Sequence, residues 1–527
     1  MNLQKIVLGL SILLIMTACG KKPNVQTMIP KTASMVVVVD LKSFASKAVK
    51  VEDLLNQFMD AQKQKKKEDT NVENKEEKGK PDDKKNEDLS KKLLGAGIDF
   101  LSPVYIFGEP HKDKSKSYVA IAITLSDEGK FETFVKETAE NKEVKKGDGY
   151  SYGAAFHQGT KALVGFANKV AVFVSRENGD EEAMKADLKT IFATKEGESL
   201  MNSDDRVKKI FAEQHDFLMW MDASKMAETH ENTSLAGPTL KDNFVTASFD
   251  FNKGEIVFDC KGYLQDNVIN NYGKVLNKGV SNQMVSNIPG PNPLALLSLS
   301  LNIPEIKKML ATYGLWDGAK ESAKMAGVTA DEIADMLSGE VGLTLEGVVK
   351  KPKKKFDDEL KKEIEIMKDE PEYVLSIGIK NKATLDKIIS SPIGMMLKKE
   401  DGYYSAMGDN FLIIKDNAIY QTNSKRVIDQ IKQHSKPLDS KYADLMTKNA
   451  IAIYANLNEL KSKFPDEFKP KDLKIEDIPI ETFTANLSGI DKECNLQIKI
   501  TFKDKEEYSA ASLVKIMMDA QKTKNPL

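Results

Sequence analysis

The 527 residues carry 77 Lys and Arg against 79 Asp and Glu, a formal net charge of −2, and 41% of them are hydrophobic. So even a balance excludes a nucleic-acid partner, which needs a basic face, and the apolar content excludes a disordered tail. A chain of this length buries a large core and predicts two to four domains.

The N-terminus has the order of an export leader: Lys5, the apolar run Ile6 to Met16, then Thr17-Ala18-Cys19-Gly20. That run is far shorter than the roughly 20 residues a helix needs to cross a bilayer, so residues 1–18 predict a cleaved signal peptide. A small pair leading directly into a cysteine resembles the lipobox of bacterial lipoproteins, in which the thiol takes a diacylglyceryl group. Met16, where such boxes usually carry Leu, is the departure. The resemblance implies a covalent lipid on Cys19, a lipidated tether over residues 19–28, and attachment to a membrane. No later stretch approaches transmembrane length; Pro293 to Ile303 is the most apolar and is interrupted by Ser298, Ser300 and Asn302.

Beyond the tether, one pattern occurs four times, an apolar strand ending in Asp or Asn and followed by a helix. Its copies are Val36 to Asp40, Phe217 to Asp222, Leu297 to Asn302 and Ile451 to Asn456. A side-chain oxygen there accepts a hydrogen bond from a free amide of the next helix's first turn, so Asp40, Asp222, Asn302 and Asn456 are predicted N-caps. Between the first two copies come a strand (Tyr118 to Leu125), a helix (Lys130 to Glu140), Asp148-Gly149-Tyr150, and two strands from Ala162 to Ser175 turning at Asn168. Between the last two come Tyr373 to Lys380, a helix from Ala383 to Ser390, Asp401-Gly402-Tyr403, and Phe411 to Thr422 turning at Asp416. Thr246-Ala247 and Thr484-Ala485 each open a terminal hairpin.

Matches in the same order predict a tandem duplication. The expected fold is α+β, two similar lobes at 29–279 and 287–520, each of mainly antiparallel sheet with short amphipathic helices. The joint is the turn-rich Ile288-Pro289-Gly290-Pro291. Each lobe carries a charged insertion before its Tyr-Val strand. Residues 63–92 hold 20 charged side chains in 30 and are expected to be disordered. Residues 350–371 place Phe356, Leu360, Ile364 and Met367 on one face of an expected helix behind a Lys-Lys-Pro-Lys-Lys-Lys run, docked on its own lobe or against anionic lipid.

The opening IPKTASMVVVVDLKSF (29–44), with the duplication and the lipobox, resembles a family of Bacteroidetes lipoproteins defined only as a domain of unknown function. The resemblance spans nearly the whole mature chain and implies no catalytic residues, because its motif is a strand and a capped helix. In such lipoproteins surface export goes with acidic residues just after the lipidated cysteine. Here Gly20, Lys21, Lys22, Pro23 and Asn24 follow Cys19, with no acid before Asp40, which implies an outer-membrane protein facing the periplasm.

Reactive chemistry is not legible. His111, His157, His215, His230 and His434 share no spacing that builds a metal site. Ser512 and Lys515 form an S-x-x-K without companion motifs, and Gly95-Ala96-Gly97 lacks the rest of a phosphate loop. Cys260 reads as a strand thiol and Cys494 as a strand entrance, with no spacing that dictates a bridge. Neither catalytic nor metal residues nor a cofactor is assigned. The expected function is a non-catalytic binding or scaffold module of the cell envelope, its partner an envelope protein or glycan. A carrier of an apolar ligand in a sheet-lined cavity is the alternative, and an enzyme whose site forms only in space comes third.

Overall fold

The computed structural model describes residues 25–47, 92–138, 143–157, 160–228, 240–357, 361–392, 394–406, 410–464, 479–489 and 491–513. Cys19, nearly all of the 63–92 insertion, His230 and Lys515 lie outside them. Contacts divide the chain into two compact units, 1–237 and 238–527.

The first unit contains β1 (Met35–Val39), α1 (Leu41–Lys47), β2 (Val104–Glu109), β3 (Tyr118–Thr124), α2 (Glu128–Thr138), β4 (Val144–Lys146), β5 (Ser151–His157), β6 (Thr160–Ala167), β7 (Val170–Arg176), α3 (Glu181–Ala193), α4 (Asp205–Ala212), β8 (Phe217–Asp222) and α5 (Ala223–Glu228). Its sheet runs β4-β5-β6-β7-β3-β2-β1-β8, every neighbour antiparallel. The β-branched run of β1 suits this interior place between two strands. Between β6 and β7 the turn residues Asn168 and Lys169 have φ of 51° and 61°, the two-residue geometry whose twist matches the flanking strands. Phe131 and Val135, four apart on α2, are buried against Phe166 and Ala171, with the Phe131 and Phe166 rings edge-on at 5.6 Å. At the entrance, Ile29 and Ala33 are wholly buried, and the Ser34 amide donates to the Gly108 carbonyl at 3.0 Å.

The second unit opens with β9 (Phe244–Asn252), β10 (Glu255–Tyr263), α6 (Asp266–Tyr272), α7 (Asn282–Ser286), β11 (Ala295–Ser300), α8 (Ile303–Thr312), α9 (Trp316–Met325) and α10 (Ala330–Met336). There follow β12 (Leu337–Asp357), β13 (Lys362–Ile379), α11 (Lys382–Ile389), β14 (Lys398–Lys399), β15 (Tyr404–Ala406), β16 (Asn410–Lys415), β17 (Ala418–Thr422), α12 (Lys425–Gln433), α13 (Ser440–Lys448), β18 (Ile451–Asn456), α14 (Leu457–Lys463), β19 (Ile480–Leu487) and β20 (Glu493–Phe502). Eight strands run β14-β15-β16-β17-β13-β12-β11-β18, antiparallel throughout, and β19, β20, β10 and β9 extend the sheet past β18. The order of those eight is the order found in the first unit. Asp416 and Asn417 turn between β16 and β17 with φ of 48° and 60°, like Asn168 and Lys169.

The hairpin β9–β10, which closes the first lobe in the sequence reading, belongs by its contacts to the second unit, joined through β10 to β20. Residues 288–291 are built into this unit too: Ile288 is buried, Pro289 bridges Pro437, and the Gly290 amide donates to the Lys436 carbonyl at 2.9 Å. The core packs Val427, Ile428 and Ile431 of α12 and Met446 of α13 against Tyr420, Val374 and Ala452. Tyr420 is wholly buried, and its hydroxyl donates to the Met284 carbonyl at 3.0 Å.

One expectation is overturned. Residues 350–371 form no helix: within β12 and β13 they make a ladder from Lys350↔Asp369 to Asp357↔Lys362, joined at 358–361. The ladder continues from the in-sheet pairs Leu343↔Leu375 and Leu345↔Tyr373, so each strand grows outward on hydrogen bonds already in place. Pro352 would break a helix interior, while Ile364 and Ile366 alternate with charged residues as a strand requires.

Candidate functional site

Three of the four cap residues engage the following helix. Asp40 accepts from the Ser43 amide at 2.9 Å, Asp222 from Ser224 and Lys225 at 3.0 and 3.2 Å, and Asn456 from Glu459 at 3.0 Å. Asn302 stands at the same place before α8, but its side chain caps no amide. Pro304, second in that helix, removes one of the donors a cap would use. The first motif also holds an ion pair that the sequence does not reveal. Asp216, wholly buried just before β8, takes Lys47 Nζ at 2.8 Å and the Ser43 hydroxyl at 2.5 Å, tying α1 to β8 across 169 positions.

The histidines stand on separate elements. His111 Nδ1 accepts from the Asp113 amide at 3.0 Å, His215 lies 3.5 Å from Glu213, and His434, at the left-handed end of α12, contacts Asn287 at 3.2 Å. The His157 side chain is outside the described residues. Among the described residues no group of three or more His, Cys, Asp or Glu is placed to hold a metal ion. Cys260 pairs with Leu496 and Cys494 with Gly262, so the thiols are diagonal neighbours on β10 and β20, and burial pushes both above the usual thiol range. Diagonal positions lie about 7–8 Å apart, beyond the span of an unstrained disulfide. Ser512 donates to Glu507 at 3.0 Å. Both Asp-Gly-Tyr segments are turns, with φ of 82° at Gly149 and 80° at Gly402; Tyr150 stacks on Phe192 at 4.6 Å, and Tyr403 lies under the Lys425 and Lys432 ammoniums.

Two concavities in the second unit are better candidates. The first, about 480 Å³, lies between α11 and the β15–β17 strands and is lined by Met336, Leu385, Ile388, Ile389, Met396, Leu397, Leu412 and Ile419. Met396 on this lining is 61% exposed, so the cavity opens to solvent through an apolar rim. Its volume is within the range of about 300–1,000 Å³ usual for small-molecule sites.

The second is a polar groove of about 900 Å³ that includes Glu346, Tyr442, Tyr454, Glu459, Glu481, Lys499 and Lys505. Lys499 pairs with Glu255 and Lys505 with Glu481, and the Tyr442 hydroxyl donates to that of Tyr454 at 3.1 Å. Glu346 is largely buried, which pushes its carboxyl up to about 7 against the opposing pull of the Thr344 hydroxyl and the Arg426 guanidinium. Its Oε1 has no hydrogen-bond partner among the described residues, and Gly290, at φ 89°, leaves the space its carboxyl occupies. No histidine, cysteine or serine lines this groove among the described residues.

No curated protein matches the chain. A solved structure described as crystal form I of TP0453 aligns over 47% of this chain and 81% of its own at 11% identity, with a TM-score of 0.25, too distant to bear on the fold. The family model described as a domain of unknown function, DUF4836, matches residues 25–462, from the turn before β1 into α14, and the chain belongs to that family.

Proposed function

We propose that the chain is a lipoprotein of the cell envelope, held by a lipid on Cys19 after loss of residues 1–18, and that it serves as a non-catalytic binding or scaffold module. The observation that carries the binding role is the pair of open concavities in the second unit, one offering apolar contact surface and the other polar side chains that can hydrogen-bond a partner. The shared strand order of the two units supports a tandem duplication, with the membership in the Bacteroidetes lipoproteins that the opening motif suggests. On this reading the partner is an envelope protein or glycan and the chain faces the periplasm from the outer membrane. Crosslinking in intact cells followed by purification tests the binding role, which fails if no partner depends on the wild-type groove residues Glu346 and Glu481. Metabolic labelling with a fatty-acid analogue tests the anchor: Cys19→Ala abolishes incorporation, and label persisting in that variant removes the assignment.

The apolar cavity favours a second reading, a carrier whose ligand is an uncharged hydrocarbon moiety.

A further inference from the structure

An antiparallel sheet with helices on one side ordinarily turns its apolar residues to the helices and its polar ones to water. The second unit reverses this. Under α7, α12 and α13 the sheet presents Ser298, Thr344 and Ser376 among Leu296, Val374 and Ala452, all buried, and farther along Asn486, Gln497 and Asp259. On the other face a row of directly opposite residues runs from Leu375 on β13 through Leu343, Leu297, Ile453 and Ile498 to Phe249 on β9. The rows on either side of it, from Tyr373 to Phe251 and from Ile377 to Ala247, are like it: across eight strands no residue of the three rows is charged, and Tyr373 and Cys260 carry the only hydroxyl and thiol. With neighbouring strands about 4.8 Å apart, this face is about 34 Å wide. At Leu345 and Tyr373, β12 and β13 leave the sheet as a two-stranded arm, and α14 packs Leu460 and Phe464 against Ala295, Leu345 and Ala455, which bounds the face on that side. Past that edge Leu297 and Ile453 are 41% and 37% exposed, and Phe249 is 42% exposed. Beyond β13 the face continues on to β17 and β16 as Ile419 and Leu412, and both line the apolar cavity; Gln421, between them, donates to the Tyr373 hydroxyl at 3.5 Å.

We propose that this face, with the cavity at its end, holds the two acyl chains of a diacyl phospholipid. The proposal rests on the carrier reading and extends it from the cavity on to the sheet. A contiguous apolar surface of this size marks a binding site, because its contact with water costs free energy that a partner relieves. A protein partner would bring about one hydrogen bond per 100–200 Å², and the three rows offer it only Tyr373 and Cys260; hydrocarbon asks for none. Rows on one face of a sheet stand about 7 Å apart, so the two rows not under α14 take two chains abreast, and a single chain would leave one of them wet. The cavity, open through Met396, receives the chain ends. Recognition through the chains leaves the headgroup in solvent, so its chemistry does not matter.

The chain from Gly20 onward, which retains every described residue, is mixed with vesicles of pyrene-labelled phosphatidylcholine, whose excimer emission gives way to monomer emission when single lipids leave the bilayer. The wild type should raise monomer emission saturably, and equally from pyrene-labelled phosphatidylglycerol. Combining Leu297→Gln and Ile453→Gln lowers uptake by about ten-fold or more, since each sets an amide against hydrocarbon. Leu101→Gln, at a 63% exposed leucine of the first unit, changes it by less than about two-fold. Circular dichroism melts establish that both variants fold. In the wild type, a phosphatidylcholine with a diazirine midway along its chain labels peptides of β11 and β18, a result that stands even if the double variant does not fold. Binding of an environment-sensitive fatty-acid probe without phospholipid uptake, undiminished uptake by the folded double variant, or labelling confined to other elements overturns the phospholipid site and leaves the carrier reading intact. Absence of both probe binding and uptake overturns both. Dimerisation that the double variant abolishes, with no lipid uptake, assigns the face to a second copy and overturns the inference as well.

Discussion

Glu346 is the residue whose surroundings most alter its chemistry. The folded chain holds its proton up to about pH 7, whereas the unfolded chain releases it near 4.5. Between those values the native state binds more protons, so Glu346 makes stability fall as pH rises through the window and adds no further slope above it. Glu346→Gln removes the buried charge and should stabilise the protein by roughly 2–3 kcal/mol at about pH 8, with little effect at about pH 5. Urea melts of both proteins at the two pH values check this, and an equal difference at both would show that the carboxyl does not titrate there. Nothing in the sequence around Glu346 marks it. Its burial comes from Gly290 and from the sheet beside Glu372, contacts between positions far apart in the chain.

At the level of elements, the caps divide three to one. Asp40→Ala, Asp222→Ala and Asn456→Ala should each lower stability by about 0.5–2 kcal/mol, because each leaves one or two first-turn amides unbonded. Asn302→Ala should change it by less than about 0.5 kcal/mol, since its side chain bonds no amide of α8. Thermal melts of the four variants test the division, and a loss at Asn302 matching the others would refute it. The cap positions themselves are legible because a cap is a local device, an oxygen beside a known set of amides. The I′ turns at Asn168 and Asp416 are legible for the same reason. The arm at 350–371 is not, because a spacing compatible with a helix is overruled by a ladder that neighbouring strands have already begun.

For the whole molecule, the apolar cavity is the feature that separates a carrier from a scaffold. If it takes a hydrocarbon ligand, the wild-type chain should enhance the emission of an environment-sensitive fatty-acid probe. Ile388→Trp, which fills the lining, should reduce that enhancement about ten-fold or more while leaving the melt within a few degrees. No enhancement by the wild type, or an unchanged response in the variant, excludes the cavity as a carrier site. The sequence by itself determined what depends on neighbours in the chain: the α+β alternation, the order of the repeated strands and helices, three of the four caps, the hairpin turns, and the expectation of a lipid on Cys19. Only the tertiary structure decided which hairpin joins which unit, that Asp216 and Lys47 pair, that Glu346 is buried beside Gly290, and where the concave surfaces open. These features arise where segments distant in sequence exclude water together, and the shape of that exclusion is set by packing, not by periodicity.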